Sequence, residues 1–270
     1  EPLIFDLAGI ARAARTAFDA VLGRELFLQA VVTIDPDRRR LQLGQRATAG
    51  EGEILAVTQS CERHFCIEIE LREGLRVPAV VDLGPTVPMY VSQRFAQNYG
   101  LLAGSNRGSS AAIGVEGIAI SQLSRMPRLK LGNLELTDIP FAVPPQWNFE
   151  APVVLGLPVL RRFRSQSDLG QGRIRLGPPA TIDQPFARDR SGLSVIPSLG
   201  GLRIIHVAAN SPAERAGLAG GDVITAIDDG RGATLPNEDH RGLGKRAAGT
   251  RFLLRVEGER THELVLADYY

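Results

Sequence analysis

The sequence has few cysteines, little net charge and no long apolar run. The 270 residues include two cysteines, which are too few for a disulfide framework. The 31 basic and 30 acidic residues nearly cancel, so the formal net charge of +1 gives no reason to expect a nucleic-acid or anionic-membrane partner. No apolar run approaches the ~20 residues that a helix needs to cross a bilayer. We therefore expect no disulfide-rich scaffold, no nucleic-acid partner and no membrane span.

Glycine and proline, in contrast, are abundant. The chain has 29 glycines and 17 prolines among its 270 residues, which together exceed the ~12% that is usual in proteins. Hydrophobic residues at 44% and charged residues at 23% exclude wholesale disorder. Because the glycines follow no collagen-like period, the excess predicts many turns and therefore many short strands.

Short β-branched runs recur between turn signals from residue 31 to residue 174. The clearest are Val31–Ile34, Phe65–Leu71, Val77–Val81 and Leu129–Leu136. The main helical signal in this part is Val91–Tyr99, with Ser92 as the N-cap and Gly100 as the stop. This spacing predicts a β-barrel or a folded-over sheet rather than βαβ units.

Residues 22–43 and 155–176 form an internal repeat. Aligned without a gap, the two segments share five identities in 22 positions. Each has a Leu-Gly turn, a hydrophobic segment, an Asp-led turn and a short strand that ends in leucine. Such self-similarity predicts two copies of one structural unit.

Asp82 is the first candidate for chemistry. It ends the hydrophobic run Val77–Val81 and is followed by Leu83 and Gly84, so a strand would deliver a carboxylate into a tight turn. An Asp near Gly is also a common turn residue, and the Asp-Leu-Gly tripeptide recurs at 168–170. The local sequence leaves both interpretations open.

The stretch from about 65 to 176 resembles the retropepsin-like aspartic proteases. In that family a strand runs into an Asp-[Thr/Ser]-Gly loop, and a short helix, a glycine-rich flap hairpin and a Leu-Gly closing segment follow. Here Asp82 and Gly84 match the catalytic loop, and Val154-Leu-Gly156 matches the closing segment. The flap residues that the resemblance implies are Gly114, Val115, Glu116 and Gly117. The implied fold is mainly β, with a retropepsin-like (acid protease) β-barrel lobe at residues 50–180.

The resemblance implies peptide-bond hydrolysis by a water that Asp82 activates. This chemistry needs two carboxylates that share one proton, and the stretch supplies one. Residues 1–45 resemble the end of a preceding homologous lobe, which would carry the second aspartate, and a homodimer with two copies of Asp82 is the other source. Leu83, Pro85 and Pro158 depart from the family pattern. Leu83 lacks the hydroxyl of the usual Thr or Ser, so the alternative is a catalytically inactive, protease-like adaptor.

A composition shift at 177–185 predicts a linker, and residues 188–270 resemble a bacterial PDZ domain with an α+β fold. The run 210–228 follows the signature of that family, with capping-box spacing at Ser211-Pro-Ala-Glu214 and a turn at Asp222. Such domains bind an extended peptide as an added strand. The peptide-binding residues that the resemblance implies are Gly192, Leu193, Ser194 and Val195.

Other chemistries have weaker support. Cys61, His64 and Cys66 could hold a metal, but they offer three ligands at best, so a buried thiol or a local disulfide is the better interpretation. The sequence has no P-loop, no dinucleotide fingerprint and no Gly-x-Ser-x-Gly element. We therefore expect no metal and no cofactor. Trp147, beside two prolines, could line a substrate cleft or anchor a surface loop.

Together these patterns predict a bacterial aspartic endopeptidase with a PDZ domain. Its partners would be a polypeptide substrate and a peptide or protein ligand of the PDZ domain. The resemblance also implies a periplasmic or otherwise exported protein, because many bacterial proteins with these two modules are exported. The chain starts at Glu1 without methionine or a signal-peptide pattern, which predicts either a processed protein or a piece of a longer one.

Overall fold

The structure is a computed structural model that describes residues 11, 23–58, 61, 64–103, 107–114, 117–177, 184–228, 230–231, 242–258 and 260–270. The chain divides into two compact units. We call Ala20–Leu101 with Arg125–Phe186 the central unit, and Glu1–Asp19, Leu102–Ser124 and Ala187–Tyr270 the C-terminal unit. Both consist mainly of β-strands, as the turn-rich sequence predicts. In the described ranges, no helix combines the length and apolarity that crossing a membrane requires.

Twelve strands and three helices are described before residue 177. The strands are β1 (Val31–Asp35), β2 (Arg40–Gly44), β3 (Glu53–Thr58), β4 (Cys66–Arg72), β5 (Leu75–Val81), β6 (Met89–Val91), β7 (Gly108–Gly114), β8 (Gly117–Leu131), β9 (Leu134–Val143), β10 (Val153–Leu155), β11 (Ser165–Asp168) and β12 (Arg173–Leu176). The helices are α1 (Arg24–Gln29), α2 (Gln93–Asn98) and α3 (Leu157–Leu160). The strand order is β2-β1-β11-β12-β3-β4-β5-β10-β6-β9-β8-β7.

Local sequence signals account for much of the central unit. Alternation along β4 buries Ile67, Ile69 and Leu71, while Glu68 between them is exposed. Helix α2 begins where the Ser92 side chain accepts a hydrogen bond from the amide of Phe95, at 3.3 Å. The predicted half-buried strand and the predicted N-cap are therefore both confirmed.

One predicted strand is wrong. The run Leu129–Leu136 is interrupted by a turn at Gly132, whose φ is +60°, so it forms the end of β8 and the start of β9. The apolar residues on either side of the turn suit both strands, and their continuity hides the break. Glycine tolerates this left-handed backbone because it has no Cβ.

The internal repeat folds as two equivalent hairpins that pair side by side. The first copy contains α1, β1 and β2, and the second contains α3, β11 and β12. Strands β1 and β11 are antiparallel neighbours, and Thr33 lies opposite Gln166. The ungapped alignment of 22–43 with 155–176 matches these same two residues, so a local pseudo-two-fold axis passes between them. Gln166 Nε2 donates to Thr33 Oγ1 at 3.2 Å on this axis.

The C-terminal unit contains a smaller sheet. Its elements are β13 (Leu193–Ser198), β14 (Gly201–Val207), α4 (Pro212–Arg215), β15 (Val223–Ile227), β16 (Gly230–Arg231), β17 (Arg251–Val256) and β18 (Thr261–Val265). The strand order is β13-β14-β15-β17-β18, and β16 pairs with β15. Leu202, Ile224, Leu254 and Leu264 form the centre of its apolar core. The strand β13 lies at one edge of this sheet.

The predicted cap at Ser211 is confirmed, with one difference. The Ser211 hydroxyl accepts from the amide of Glu214 at 3.2 Å, as in a capping box. The Glu214 carboxylate, however, accepts from the amide of Asn210 at 2.7 Å instead of from the N-cap itself. Asn210 has a φ of +58°, and this conformation turns its amide toward the carboxylate.

Asp222 stabilises the turn that leads into β15. Its carboxylate accepts from the amide of Ala219 at 3.0 Å and pairs with Arg260 at 2.7 Å. Burial opposes ionisation, but the Ala219 amide and Arg260 together hold the pKa of Asp222 below its ordinary value of 3.8.

We predict that Asp222→Ala lowers the free energy of unfolding of the C-terminal unit by roughly 1–3 kcal/mol at neutral pH, since charge-assisted hydrogen bonds are lost. Because the pKa is depressed in the folded state, the contribution is complete above about pH 4 and disappears as the pH falls through the folded-state pKa. Urea unfolding at several pH values measures this difference. Glu257→Ala, at an exposed position of the same unit, is the control. A difference that does not change with pH would contradict the assignment.

Candidate active site

Asp82 lies where a buried strand ends. In β5 the side chains of Val77, Ala79 and Val80 are buried, so hydrophobic packing fixes the strand that carries Asp82. The amide of Asp82 donates to the carbonyl of Leu155 at 3.0 Å. The carboxylate therefore projects from a backbone position that a second strand, β10, holds in place.

The strand β10 lies between the two strands that flank the Asp82 loop. It pairs with β5 in parallel, with Leu155 opposite Val81, and with β6 in antiparallel, with Leu155 opposite Met89. All three residues of β10 are fully buried. The loop 82–88 joins β5 to β6 and thus passes around the end of β10. We call this arrangement the β5–β10–β6 motif.

Gly156 makes the close approach in this motif possible. Its amide donates to the carbonyl of Pro88 at 2.9 Å. A Cβ at this position would lie 2.1 Å from the carbonyl oxygen of Val87 and 3.1 Å from Cβ of Pro85. Only a residue without a side chain fits between the loop and α3. The Leu-Gly closing segment of the sequence thus has a steric reason for its glycine.

The Asp82 carboxylate is half-buried and held by the main chain of its own loop. Its Oδ1 accepts a hydrogen bond from the amide of Gly84 at 2.8 Å, and the residue keeps intermediate exposure. The structure therefore brings together Asp82 and Gly84, the two residues that the sequence assigned to the catalytic loop. Leu83 between them supplies no hydroxyl.

Tyr90 lies near enough to Asp82 for the aspartate charge to act on it, although nothing in the sequence singles Tyr90 out. Burial, and then the negative charge of Asp82, raise the pKa of Tyr90. Tyr90 is half-buried on β6, between the fully buried Met89 and Val91. The Tyr90 side chain thus points to the opposite face of β6 from those of Met89 and Val91.

A disulfide and an aromatic cluster pack against the end of β5, two residues before Asp82. Cys61 and Cys66 form a disulfide, which is one of the alternatives that the sequence left open. Cys66 pairs with Val80, two residues before Asp82. Trp147 and Phe149 pack against the same cluster. The cluster also includes Val80 of β5 and Val154 of β10, so it packs against the strands that position Asp82.

Trp147 also lines an open cavity of about 560 Å³, together with Arg94, Phe149 and Pro152. The indole Nε1 donates to the carbonyl of Ala151 at 3.0 Å, so Trp147 anchors its own loop. The cavity lies at the end of β6 and β10 that is farther from Asp82, and Asp82 does not line it. Of the two roles that the sequence left open for Trp147, loop anchoring is the one with a defined contact.

The predicted flap corresponds to a β-hairpin. Gly114 ends β7 and Gly117 begins β8, and the two residues are paired. Val115 and Glu116, at the predicted tip, lie outside the described residues. Beyond the tip, Ile118 and Ile120 are 55% and 52% exposed. An exposed apolar face on a hairpin arm suits contact with a polypeptide.

Of the predicted peptide-binding residues, Gly192 precedes the edge strand β13, and Leu193, Ser194 and Val195 are its first three residues. Gly192 has a φ of +76°, and a Cβ there would lie 2.1 Å from Cβ of Ser211. The Gly192 amide donates to the carboxylate of Asp189 at 2.7 Å. The amide of Leu193 donates to the hydroxyl of Ser191 at 3.1 Å. Two amides of this loop are therefore already bonded within the protein.

Two other chemistries receive little support. Ser109 and His206 share a hydrogen bond of 2.8 Å, which is the spacing of a nucleophile and its base. Burial lowers the pKa of His206, whereas a carboxylate partner, as in a serine-protease triad, would raise it. Within the described parts of the chain, no group of three or more His, Cys, Asp or Glu residues is arranged to hold a metal ion.

Comparison with known proteins gives three solved structures of interest. No family model matches the chain, and no curated protein matches it. A retropepsin-like aspartic protease from Rickettsia conorii is 21% identical, with 48% of this chain and 92% of that chain covered and a TM-score of 0.34. A serine endoprotease from Yersinia pestis is 9% identical over 92% of this chain and 99% of that chain, with a TM-score of 0.29. An HtrA-type protease with a decapeptide is 15% identical over 96% of both chains, with a TM-score of 0.30.

These similar structures are proteases of two catalytic classes.

We predict that Gly156→Ala destabilises the central unit by roughly 1–3 kcal/mol, because the new methyl group has to displace the carbonyl of Val87. Urea unfolding measures the change. Gly50→Ala is the matched control, since a Cβ at that position meets no atom within 4 Å, and we expect it to be neutral or slightly stabilising. Equal effects of the two substitutions would show that the close approach at Gly156 is not needed.

Proposed function

We propose that the protein is an aspartic-type endopeptidase in which Asp82 activates the attacking water. The observation that carries this proposal is the β5–β10–β6 motif. It fixes a half-exposed carboxylate by main-chain hydrogen bonds at the ends of three buried strands. Such a carboxylate can exchange protons with a water without losing its position, as general acid–base catalysis requires.

The reaction needs a second carboxyl group that holds a proton while Asp82 is ionised. Asp82 takes a proton from the water as the water oxygen attacks the carbonyl carbon of the peptide. The second carboxyl group gives its proton to the carbonyl oxygen, which forms a tetrahedral diol. Collapse of the diol breaks the C–N bond as the proton held by Asp82 passes to the departing amine. One diol hydroxyl then returns its proton to the second carboxylate, which leaves a carboxylic acid and restores both groups.

The pairing of β1 with β11 bears on the source of this second carboxyl group. The two strands pair around a pseudo-two-fold axis at Thr33 and Gln166. In a homodimer built about this axis, β11 of the second copy would have to pair with β11 of the first. That edge of β11 is already paired with β1. The pairing therefore favours a second aspartate from a homologous lobe that ends in residues 31–44 over one from a homodimer formed through β11.

The C-terminal unit would bind an extended peptide at the edge strand β13, as a PDZ domain does. Gly192, Leu193, Ser194 and Val195 are the residues proposed for this contact. The edge position of β13 supports this role, because among the strands that the structure describes β13 pairs with β14 alone, and an edge strand can pair with an added peptide. The hairpin of β7 and β8 would serve as the flap over the substrate.

The disulfide supports an exported protein. Cys61 and Cys66 are bonded, and such bonds form and persist in oxidising compartments such as the bacterial periplasm. We therefore propose that the enzyme works outside the cytoplasm.

A catalytically inactive adaptor is the second candidate, and Leu83 is the observation that favours it. In the aspartic proteases, the hydroxyl of the Thr or Ser after the catalytic aspartate ties the two catalytic loops together. Leu83 has no hydroxyl, so the Asp82 loop lacks this connection. An adaptor would still use β13 to bind peptides, and the Asp82 carboxylate would have no effect on the substrate.

We predict that Asp82→Asn lowers the rate of cleavage of a reduced, unfolded protein at mildly acidic pH by at least about a hundredfold, since an amide cannot act as a general base. Cleavage by the full-length protein is followed by mass spectrometry of the fragments. Asp168→Asn is the matched control, because Asp168 stands in the same Asp-Leu-Gly tripeptide. Its carboxylate pairs with Arg173, and the residue is only 8% exposed.

We expect the control to cleave at the rate of the wild-type protein once both rates are corrected for the folded fraction. Equal cleavage by the wild type and by Asp82→Asn would remove Asp82 from the mechanism. No cleavage by the wild-type protein would favour the adaptor.

A further inference from the structure

The hairpin of β7 and β8 begins against two aromatic rings of the C-terminal unit. A Cβ at Gly108 would lie 2.8 Å from Cδ1 of Tyr270 and 3.1 Å from Cε2 of Tyr269. The hairpin backbone therefore lies in direct contact with both rings, which leave no room for a side chain. Residues 102–124 belong to the same compact unit as 187–270. The hairpin is thus packed onto the sheet that contains β13.

Two hydrogen bonds fix β7 farther along the strand. The amide of Ala111 donates to the hydroxyl of Ser194 at 2.9 Å. Ser109 Oγ and His206 Nε2 share a hydrogen bond of 2.8 Å. Ser194 and His206 are cross-strand partners in β13 and β14. They form a two-residue polar contact that we call the hairpin anchor.

The hairpin anchor lies on the face of the sheet opposite its apolar core. Leu193, Val195 and Val207 pack against that core. Ser194 lies between Leu193 and Val195 in β13 and therefore points to the other face. His206 is its cross-strand partner, just before a register shift, and so shares that face. A serine hydroxyl and an imidazole on the outer face of an edge hairpin need no partner, because water can satisfy them. Because Ser194 and His206 do not need β7 as a partner, we interpret their hydrogen bonds to it as contacts that hold β7 in position.

Tyr269 connects the hairpin to the proposed peptide-binding loop. Its hydroxyl donates to Asp189 Oδ2 at 3.0 Å, and the same oxygen accepts from the amide of Gly192 at 2.7 Å. Burial, and then the charge of Asp189, raise the pKa of Tyr269, so its hydroxyl remains a donor. The ring of this tyrosine contacts Gly108. One side chain thus touches both the loop and the start of the hairpin.

We infer that Ser194 and His206 are positioning residues for the hairpin of β7 and β8, the proposed flap, so that β13 and β14 hold this hairpin in the position from which it binds substrate. The inference rests on the proposed function, because it assigns the hairpin a role in substrate binding. An unanchored hairpin samples more positions, and the substrate has to order it on binding. The cost appears mainly in KM, since neither residue contacts the reacting atoms.

The test compares Ser194→Ala with the wild-type full-length protein. Loss of one hydrogen bond of ordinary strength predicts a roughly threefold to tenfold faster amide exchange in 108–114 and a similar fall in kcat/KM, carried by KM. Hydrogen–deuterium exchange followed by mass spectrometry gives the first value, and peptide cleavage gives the second. Ser194→Thr keeps the hydroxyl and should restore both.

Two further variants keep the test decisive. Ser109→Ala removes the second hydrogen bond from the hairpin side without altering β13 or β14, and it should raise both exchange and KM. Ser198→Ala is the control on β13, since the Ser198 hydroxyl donates to the carbonyl of Gly201, and it should change neither value.

Faster exchange with unchanged kcat/KM would overturn the inference, and so would wild-type exchange in both Ser194→Ala and Ser109→Ala. If the wild-type protein cleaves in an Asp82-dependent way and these variants match it, only the inference fails. If the wild-type protein does not cleave, the proposed function fails, and the positioning role falls with it.

Discussion

The site depends on one close approach, between Gly156 and the loop 82–88. The amides of Asp82 and Gly156 donate to the carbonyls of Leu155 and Pro88, and no side chain fits between these segments. This contact holds β10 in its place between β5 and β6, with which it pairs on either side. The Asp82 carboxylate is therefore fixed by buried main-chain groups, whereas its own side chain remains partly exposed. Rigid support with an accessible carboxylate is the arrangement that acid–base chemistry at a peptide bond requires.

The internal repeat bears on the source of the second aspartate that the proposed reaction needs. Thr33 and Gln166 occupy equivalent places in the repeat and lie opposite each other in the sheet. Such pairing is what a duplicated unit produces when its copies meet about a two-fold axis. In the C-terminal unit, a separate contact holds the hairpin that we propose as the flap, because the Ser194 hydroxyl accepts from the amide of Ala111.

Sequence patterns predicted the local parts of the structure well. The Ser92 and Ser211 caps, the strand that carries Asp82 and the hairpin at Gly114 and Gly117 all depend on neighbouring residues. The same local patterns could not separate Asp82 from Asp168, since both stand in an Asp-Leu-Gly tripeptide. Asp168 is buried and pairs with Arg173, and this difference arises from the strands around it.

The effect of the Asp82 charge on Tyr90 and the hydrogen bond between Ala111 and Ser194 both join residues of different elements. Long-range register decides such contacts, and a single sequence does not record it. The run Leu129–Leu136 failed for a related reason, because one glycine turned a continuous apolar pattern into two strands.

The central claim is that Asp82 acts on a tetrahedral intermediate of peptide hydrolysis. Calorimetric binding of a peptide whose scissile amide is replaced by a hydroxyl-bearing tetrahedral carbon tests it most directly. The account predicts that the full-length protein binds this analogue at least about a hundredfold more tightly than the parent peptide, and that the advantage requires the Asp82 carboxylate. An analogue that binds no more tightly than the parent peptide, or equally well without that carboxylate, would contradict it.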